Sequence, residues 1–425
     1  MMIWLFLGVL FFFLFIGVPV AIAMLVAAIA MMLSIGIFDT QTVAEYLIKG
    51  ANNFSLMAIP FFILTGEIMN AGGVSKRIVE FATSLVGHIR GGLGYVTIIA
   101  GVIFAGLSGS AVADTAALGA ILIPMMIAQG YNKNNSTGLV AAVGIIGTVI
   151  PPSIPMILFG VIGGVSITKL FMGGIIPGLL MALGLMIAWY FVAKRADAKT
   201  LPKASWAQRG RAFIRAFWAL LLPLIIIVGL RGGVFTPTEA GVIAAVYALL
   251  ISFVYREIKI KKLPEVFVET AKTTGVVMFL ASTAIVSAYA ITVGQVPREL
   301  GDFLQGITTN PTLLLLIIMF FLLVVGCVMD LTPAILIFTP VLLPVVEAVG
   351  IDPIYFGILM VINLSIGLIT PPIGTVLYVG CGISKISIID ITKGIWPFLL
   401  VHFIVLIALV LFPEIITVPL GWFTE

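Results

Sequence analysis

From Phe217 to Leu230, and again from Phe398 to Phe412, the chain runs without a single Lys, Arg, Asp or Glu. Uninterrupted apolar runs of this kind are what a membrane span requires. The rest of the sequence is little different, with 61% hydrophobic and only 9% charged residues. A soluble domain carries about a quarter charged residues. A water-soluble fold of 425 residues could not cover its surface with so few charges, so the excess apolar surface needs lipid as its solvent. The chain therefore reads as an all-α polytopic membrane protein. The first residues are apolar but lack the basic start and small-residue cleavage site of a signal peptide, and are expected to form a retained first span. The formal net charge of +4 is unevenly placed, and no basic run interleaved with aromatics points to nucleic acid. Cys327 and Cys381 lie in apolar surroundings without metal-ligand spacing, and are expected to be packed core residues.

Apolar runs set against helix breakers predict about ten spans, near 2–16, 18–37, 54–72, 137–165, 172–193, 212–230, 237–254, 271–292, 354–382 and 393–415. Two further stretches, 92–130 and 311–348, are each interrupted near the middle by a polar cluster. The first is Ser108-Gly-Ser-Ala-Val-Ala-Asp-Thr115, the second Met329-Asp-Leu-Thr-Pro333. A polar turn suits the lining of a cavity better than a loop in water, so both stretches are read as re-entrant hairpins.

Lys and Arg then set the sidedness. One set of loops carries eighteen basic residues, including the seven from Lys194 to Arg215, and the other set carries only four, Lys49, Lys169, Arg231 and Arg298. The positive-inside rule places 194–211 and 256–262 in the cytoplasm and both termini outside.

An internal repeat recurs at an offset of 220 residues. Pro151-Pro152 returns as Pro371-Pro372, Pro124 as Pro344, Pro177 as Pro397 and Gly106 as Gly326, and the two polar tips fall in the same register. The expected halves are 1–200 and 201–425, each with five spans and one hairpin. Five is odd, so the halves must cross the membrane in opposite directions. This is the inverted repeat of many secondary transporters.

Inside a bilayer, helix breaks survive only where protein or a cavity satisfies the freed backbone groups. Four breaks occur here in two symmetry-related pairs, the hairpin tips and the Pro-Pro segments. Unwound backbone offers carbonyls to a cation, and half-helix N-termini offer N–H groups to an anion. Ser108, Ser110, Asp114 and Thr115 make the first tip the most polar intramembrane patch. Asp114 could coordinate an ion or cap the returning half-helix. Asp330 and Thr332 hold the second tip with the same two alternatives, while Ser153, Asn363, Thr370 and Thr375 could add oxygens beside the Pro-Pro breaks. Glu67 lies near the inner end of its span opposite an uncharged repeat partner, Ser287. It is expected to contact a loop or a neighbouring subunit.

An enzymatic reading has little support. Gly106-Leu-Ser-Gly-Ser110 faintly suggests a serine hydrolase, but His88 falls in a predicted loop and His402 in an apolar span, so no Ser–His pair is implied. No Walker-type phosphate loop is present, and coupling is expected from an ion gradient or another subunit.

Pro60-Phe-Phe-Ile-Leu-Thr-Gly-Glu67, Gly106-Leu-Ser-Gly-Ser-Ala-Val-Ala-Asp114, Ile150-Pro-Pro-Ser153, Phe235-Thr-Pro-Thr-Glu-Ala-Gly241 and Ile369-Thr-Pro-Pro-Ile-Gly374 resemble the large membrane subunit of TRAP (tripartite ATP-independent periplasmic) transporters. The likeness extends over essentially the whole chain and is nearest to the diketogulonate type. It implies sodium-driven (Na+) uptake of a small organic acid across the bacterial inner membrane. It also implies a small four-span membrane subunit, a periplasmic solute-binding protein and an elevator-type movement of the hairpins past a scaffold. On the same resemblance, sodium falls on the first tip around Ser108 and Ser110, and on Gly326 and the Gly367–Thr370 region opposite, with Asp114 a further candidate ligand from its place at the tip. Thr115, Ser153, Asp330, Thr332, Asn363 and Thr375 are left to the substrate. The alternative is a self-sufficient sodium–anion symporter of the same architecture that needs no binding protein.

Overall fold

The computed structural model describes residues 2–194 and 198–424, with no strand among them. Arg195, one of the basic residues counted above, lies outside the described residues. The first half comprises α1 (Met2–Phe15), α2 (Val20–Ser34), α3 (Thr40–Ala51), α4 (Ala58–Ala71), α5 (Val74–Val86), α6 (Gly92–Ser108), α7 (Ala111–Ala128), α8 (Lys133–Gly144), α9 (Ile154–Gly163) and α10 (Ile167–Lys194). The second comprises α11 (Trp206–Arg231), α12 (Pro237–Val254), α13 (Leu263–Val293), α14 (Val296–Ile307), α15 (Pro311–Gly326), α16 (Leu331–Ala348), α17 (Pro353–Gly367), α18 (Thr375–Ser384), α19 (Ile388–Leu411) and α20 (Glu414–Thr424). Among the described residues, eight helical segments are long and apolar enough to cross a membrane by length and composition.

Local chemistry sets many of these boundaries. Ser205 with Gln208 and Thr236 with Glu239 form capping boxes at the starts of α11 and α12. Asn310 and Asp352 accept backbone N–H bonds ahead of Pro311 and Pro353, which open α15 and α17 with a residue that has no N–H to lose.

The repeat is visible in the order of elements. A hairpin (α6–α7, then α15–α16) is followed by a helix broken at a cis Pro-Pro bond, Pro151-Pro152 in one half and Pro371-Pro372 in the other. A long helix with an internal proline then closes each unit, Pro177 in α10 and Pro397 in α19. The predicted spans 137–165 and 354–382 are thus not continuous: each is a pair of shorter helices, α8 with α9 and α17 with α18. Four amphipathic or short helices, α3, α5, α14 and α20, were not among the predicted spans. Of these, α5 and α14 precede the two hairpins, and α14 meets α15 at a bend of 117°.

Burial separates an inner from an outer set. Every residue of α17 from Tyr355 to Gly367 is buried, as is every residue of α8 from Ser136 to Gly144. A helix that is apolar and buried on all faces is enclosed by protein. These two helices pack across the halves, α8 against α19 and α17 against α10. The first crossing is close because Gly138 and Gly394 meet there: a Cβ on Gly394 would lie 2.3 Å from the backbone of Asn134. By contrast, α10, α11 and α19 expose rows of large apolar side chains such as Leu183, Ile187, Phe217, Leu224, Leu400 and Ile404. On long apolar helices, such rows are the lipid-facing surface.

The basic loops gather at one end. Arg77 pairs with Glu257 at 2.9 Å, the Tyr255 hydroxyl donates to the Arg215 carbonyl at 2.7 Å, and Arg90 donates to the Lys194 carbonyl at 2.8 Å. Cys327 and Cys381 are free thiols and half-buried rather than fully enclosed, Cys381 packing against the apolar core.

Candidate functional site

At the first tip, α6 ends on Ser108 and α7 begins on Ala111, so the chain turns through two residues between them, Gly109 and Ser110. Gly109 has φ +65, and a Cβ there would also lie 2.6 Å from the Pro152 carbonyl, so the tip rests directly on the first Pro-Pro break. Ser110 is the N-cap of α7, accepting from the Ala113 N–H at 3.4 Å. The Ser108 hydroxyl donates to Asp114 Oδ1 and accepts from the Ser110 N–H at 3.2 Å. Asp114 therefore does not cap the returning half-helix. Its Oδ2 is buried without a partner and lies against Gly147, where a Cβ would come within 1.9 Å of it. The neighbouring Thr115 hydroxyl lies in the same way against Gly144 and is also without a partner.

The second tip is built differently. Asp330 occupies the N-cap position of α16 but makes no capping bond there, and its Oδ1 instead accepts from the Thr375 hydroxyl at 3.2 Å. Gly326 and Gly367 bring two backbones together, the Cβ position of Gly367 lying 2.5 Å from the Gly326 carbonyl carbon. Thr370 turns its hydroxyl back to the Ile366 carbonyl at 2.7 Å.

Both tips open onto one cavity of about 180 Å³. In an inverted repeat, two hairpins that each crossed the membrane fully would place their tips on opposite faces, about 30 Å apart. Tips that line one small cavity are re-entrant. Three helix N-termini reach the same space: the first turn of α7 at Ala111–Ala113, that of α9 at Ile154 and Pro155, and that of α16 at Leu331 and Thr332. Ser110 and Ser153 already take the Ala113 and Met156 N–H groups, and Pro155 and Pro333 carry none. The dipoles and the first N–H groups of each turn are therefore what favour negative charge. Among the described residues lining the cavity there is no Lys, Arg or His.

Of the residues singled out from sequence, Ser108, Ser110, Asp330 and Thr332 line this cavity. Asp114 and Thr115 stand directly behind the first tip. Ser153 is an N-cap, accepting from the Met156 N–H at 3.2 Å and donating to the Thr148 carbonyl. Asn363 is fully buried and donates to the Met319 carbonyl, so its amide joins α17 to α15 rather than facing the cavity.

Two polar residues of the lining, Thr148 and Asn70, are not marked by any sequence signal, and a third, Glu67, has a different place from the one expected. Thr148, at the end of the turn after α8, lines the cavity beside the tips. It shares a 2.6 Å hydrogen bond with Ser365 of α17. Asn70 and Glu67 of α4 also line the cavity, where Glu67 was expected to contact a loop or a neighbouring subunit. Its repeat partner Ser287 is turned away, bonding the Met24 and Thr283 carbonyls at 3.3 and 3.1 Å. The 220-residue register thus breaks down at this pair, and symmetry could not have revealed Glu67.

The hydrolase reading finds no support in this geometry. Ser108 serves Asp114, Ser110 serves α7, and His402 Nε2 lies 3.1 Å from the Ala142 carbonyl.

Comparison with known proteins agrees with this picture. The family described as "Tripartite ATP-independent periplasmic transporter, DctM component" matches residues 7–415. A TRAP transporter large permease protein from Haemophilus influenzae is 61% identical over 94% of this chain and all of its own length. The 2,3-diketo-L-gulonate TRAP transporter large permease protein of Escherichia coli is 51% identical over 98% of each chain. The sialic acid TRAP transporter large permease protein of Vibrio cholerae is 40% identical over 94% of each. The crystal structure of the Alcanivorax borkumensis YdaH transporter superposes with a TM-score of 0.66 over 91% of this chain and 89% of its own, at 16% identity, a likeness of fold. These relatives are transporter permeases and not enzymes. The chain belongs to the DctM component family of tripartite ATP-independent periplasmic transporters, as a multi-pass membrane permease.

Proposed function

We propose that this permease imports a small organic acid, a sugar acid or carboxylate, in symport with sodium across the bacterial inner membrane. In this reading a small four-span membrane subunit accompanies it, and a periplasmic solute-binding protein delivers the acid. One observation carries the proposal: three helix N-termini converge on a cavity whose lining holds no basic side chain. Aligned N–H groups then meet the anion, and co-transported cations offset the remaining charge. Diketogulonate and sialic acid, for which two of the relatives are named, are acids that such a cavity suits.

Sodium as cargo suits the donor set behind the tips. Asp114 Oδ2 is a buried carboxylate oxygen without a partner, next to hydroxyls and interrupted backbone. The Gly326–Gly367 contact beside Thr370 supplies the equivalent interrupted backbone in the other half. Hard oxygen donors of this type match a small alkali cation. Transport would then move the hairpins and broken helices as one body against α1–α4 and α11–α13, an elevator made of the two halves 1–200 and 201–425.

The experiment is uptake of radiolabelled acid into proteoliposomes holding both membrane subunits, with and without the binding protein and an inward sodium gradient. Uptake that needs both is the expected result. Uptake without the binding protein would establish the self-sufficient symporter instead, and uptake indifferent to sodium would overturn the ion assignment.

A further inference from the structure

We infer that Glu67 is a specificity-determining residue, selecting hydroxylated monocarboxylates and rejecting dicarboxylates. The inference rests on the transport reading above and refines its substrate class. The cavity divides chemically into two parts. The hairpin tips and the start of α9 contribute three helix N-termini, enough to hold one carboxylate. Beside the tips stands Thr148, and the polar lining opposite comes from α4 and α13, namely Glu67, Asn70 and Thr273. A carboxylate, an amide and a hydroxyl are partners for hydroxyl groups, and a carboxylate with no basic neighbour in the lining repels a second carboxylate. Asp330 at the second tip adds a further negative charge on the same cavity. An acid with one carboxylate and several hydroxyls therefore matches both parts, while a dicarboxylate must bring its second charge against Glu67.

The position of Glu67 is set by close packing. Gly66 lies against the tip, its Cβ position 3.5 Å from Ser108 Cα, so the next residue of α4 is carried to the cavity wall. Glu67 is partly buried and free of any hydrogen bond within α4, which leaves its oxygens available to a ligand.

Binding to the purified complex of large and small membrane subunits tests this, because it bypasses the filter of the binding protein. In saturating sodium, the probes are gluconate, a polyhydroxy monocarboxylate, and succinate, a dicarboxylate. Wild type is expected to favour gluconate, Glu67→Gln to narrow the ratio about tenfold by gaining succinate, and Glu67→Asp to restore it. Asn70→Asp adds charge to the same wall without touching Glu67 and is expected to widen the ratio. An unchanged ratio in Glu67→Gln and in Asn70→Asp, with wild type binding normally, would overturn this inference alone. Wild type binding neither acid nor any other in sodium would instead overturn the transport reading on which it rests.

Discussion

Thr148 and Ser365, 217 positions apart, join the two broken helices of opposite halves through a 2.6 Å hydroxyl–hydroxyl hydrogen bond. Each also lies 2.6 Å from a carbonyl of its own segment, Ile145 for Thr148 and Val361 for Ser365. Each hydroxyl has one proton, so only one of them can donate across while the other donates back to its own segment. The bond ties the cavity-lining turn after α8 to the fully buried α17, and so links the two tips' supports into one unit.

Removing either partner should loosen that unit. Ser365→Ala and Thr148→Ala are each expected to cost about 1 kcal/mol. In the double variant the losses should be less than additive, with a coupling of at least about 0.5 kcal/mol. Thermal unfolding of the detergent-purified complex across the four proteins reads this directly, and strict additivity would show that the bond contributes nothing.

Gly147→Ala should disable sodium-dependent uptake. The added methyl would come within 1.9 Å of Asp114 Oδ2 and displace the carboxylate from Ser108. On the proposed sodium assignment, misplacing this carboxylate by such an amount costs roughly tenfold or more. Gly275→Ala, with nothing within 4 Å of its Cβ position, is the control. It should leave uptake intact and stabilise α13 by about 0.5–1 kcal/mol.

Gly367→Ala should have a parallel effect at the second half. Its Cβ position is 2.5 Å from backbone of Gly326, and backbone cannot swing aside as a side chain can. The expected outcome is a rise of roughly tenfold or more in the sodium concentration needed for half-maximal uptake, with expression of the protein retained.

The Arg77 cluster at the basic end should matter through Arg77 more than through its acid. Arg77 pairs with Glu257, donates to the Gly73 carbonyl at 3.1 Å and lies 3.9 Å over the Tyr255 ring. Glu257 is about half exposed, so the ion pair itself is screened and worth under about 1 kcal/mol. Glu257→Ala should therefore lower stability by about 0.5 kcal/mol, and Arg77→Ala by about 1–2 kcal/mol because the ring contact and carbonyl bond go too. Thermal shifts at low and high salt separate the two, since only the ion pair responds to salt.

Asp39 caps α3 by accepting from the Thr42 hydroxyl and N–H, both at 2.8 Å, and these bonds hold its carboxyl below the ordinary aspartate range. A carboxyl depressed in the folded state adds stability above its unfolded value and loses it as pH falls through the folded one. The protection of α3 amides, measured against their intrinsic exchange rate at each pH, should therefore fall at acid pH below the usual aspartate range, and Asp39→Ala should show low protection at every pH.

Much of this organisation could be read before folding because it is written in local chemistry. Charge-free runs mark spans, since hydrocarbon excludes charge wherever the span finally packs. Pro151-Pro152, Pro371-Pro372 and the Ser108–Asp114 tip mark breaks for the same reason: a proline or a polar cluster disturbs a helix on its own account. The hairpins, the order of elements in each repeat and the relation of Ser110 to Asp330 all followed from such signals. The short helices α5 and α14 do not register as spans, because their apolar faces are narrow and interrupted by charge.

What the tertiary structure alone decided is which faces meet. Glu67 and Ser287 share a register position, yet one lines the cavity and the other bonds α2, because their helices have different neighbours. Asp114 is left with one unpaired oxygen only because Gly147, 33 residues later, brings a surface without a side chain against it. The Thr148–Ser365 bond depends on two helices from opposite halves crossing at the cavity. Hydropathy and helix breakers act over a few residues and so are legible in sequence. Contacts of this kind exist only once close packing has fixed how each helix is rotated against the next.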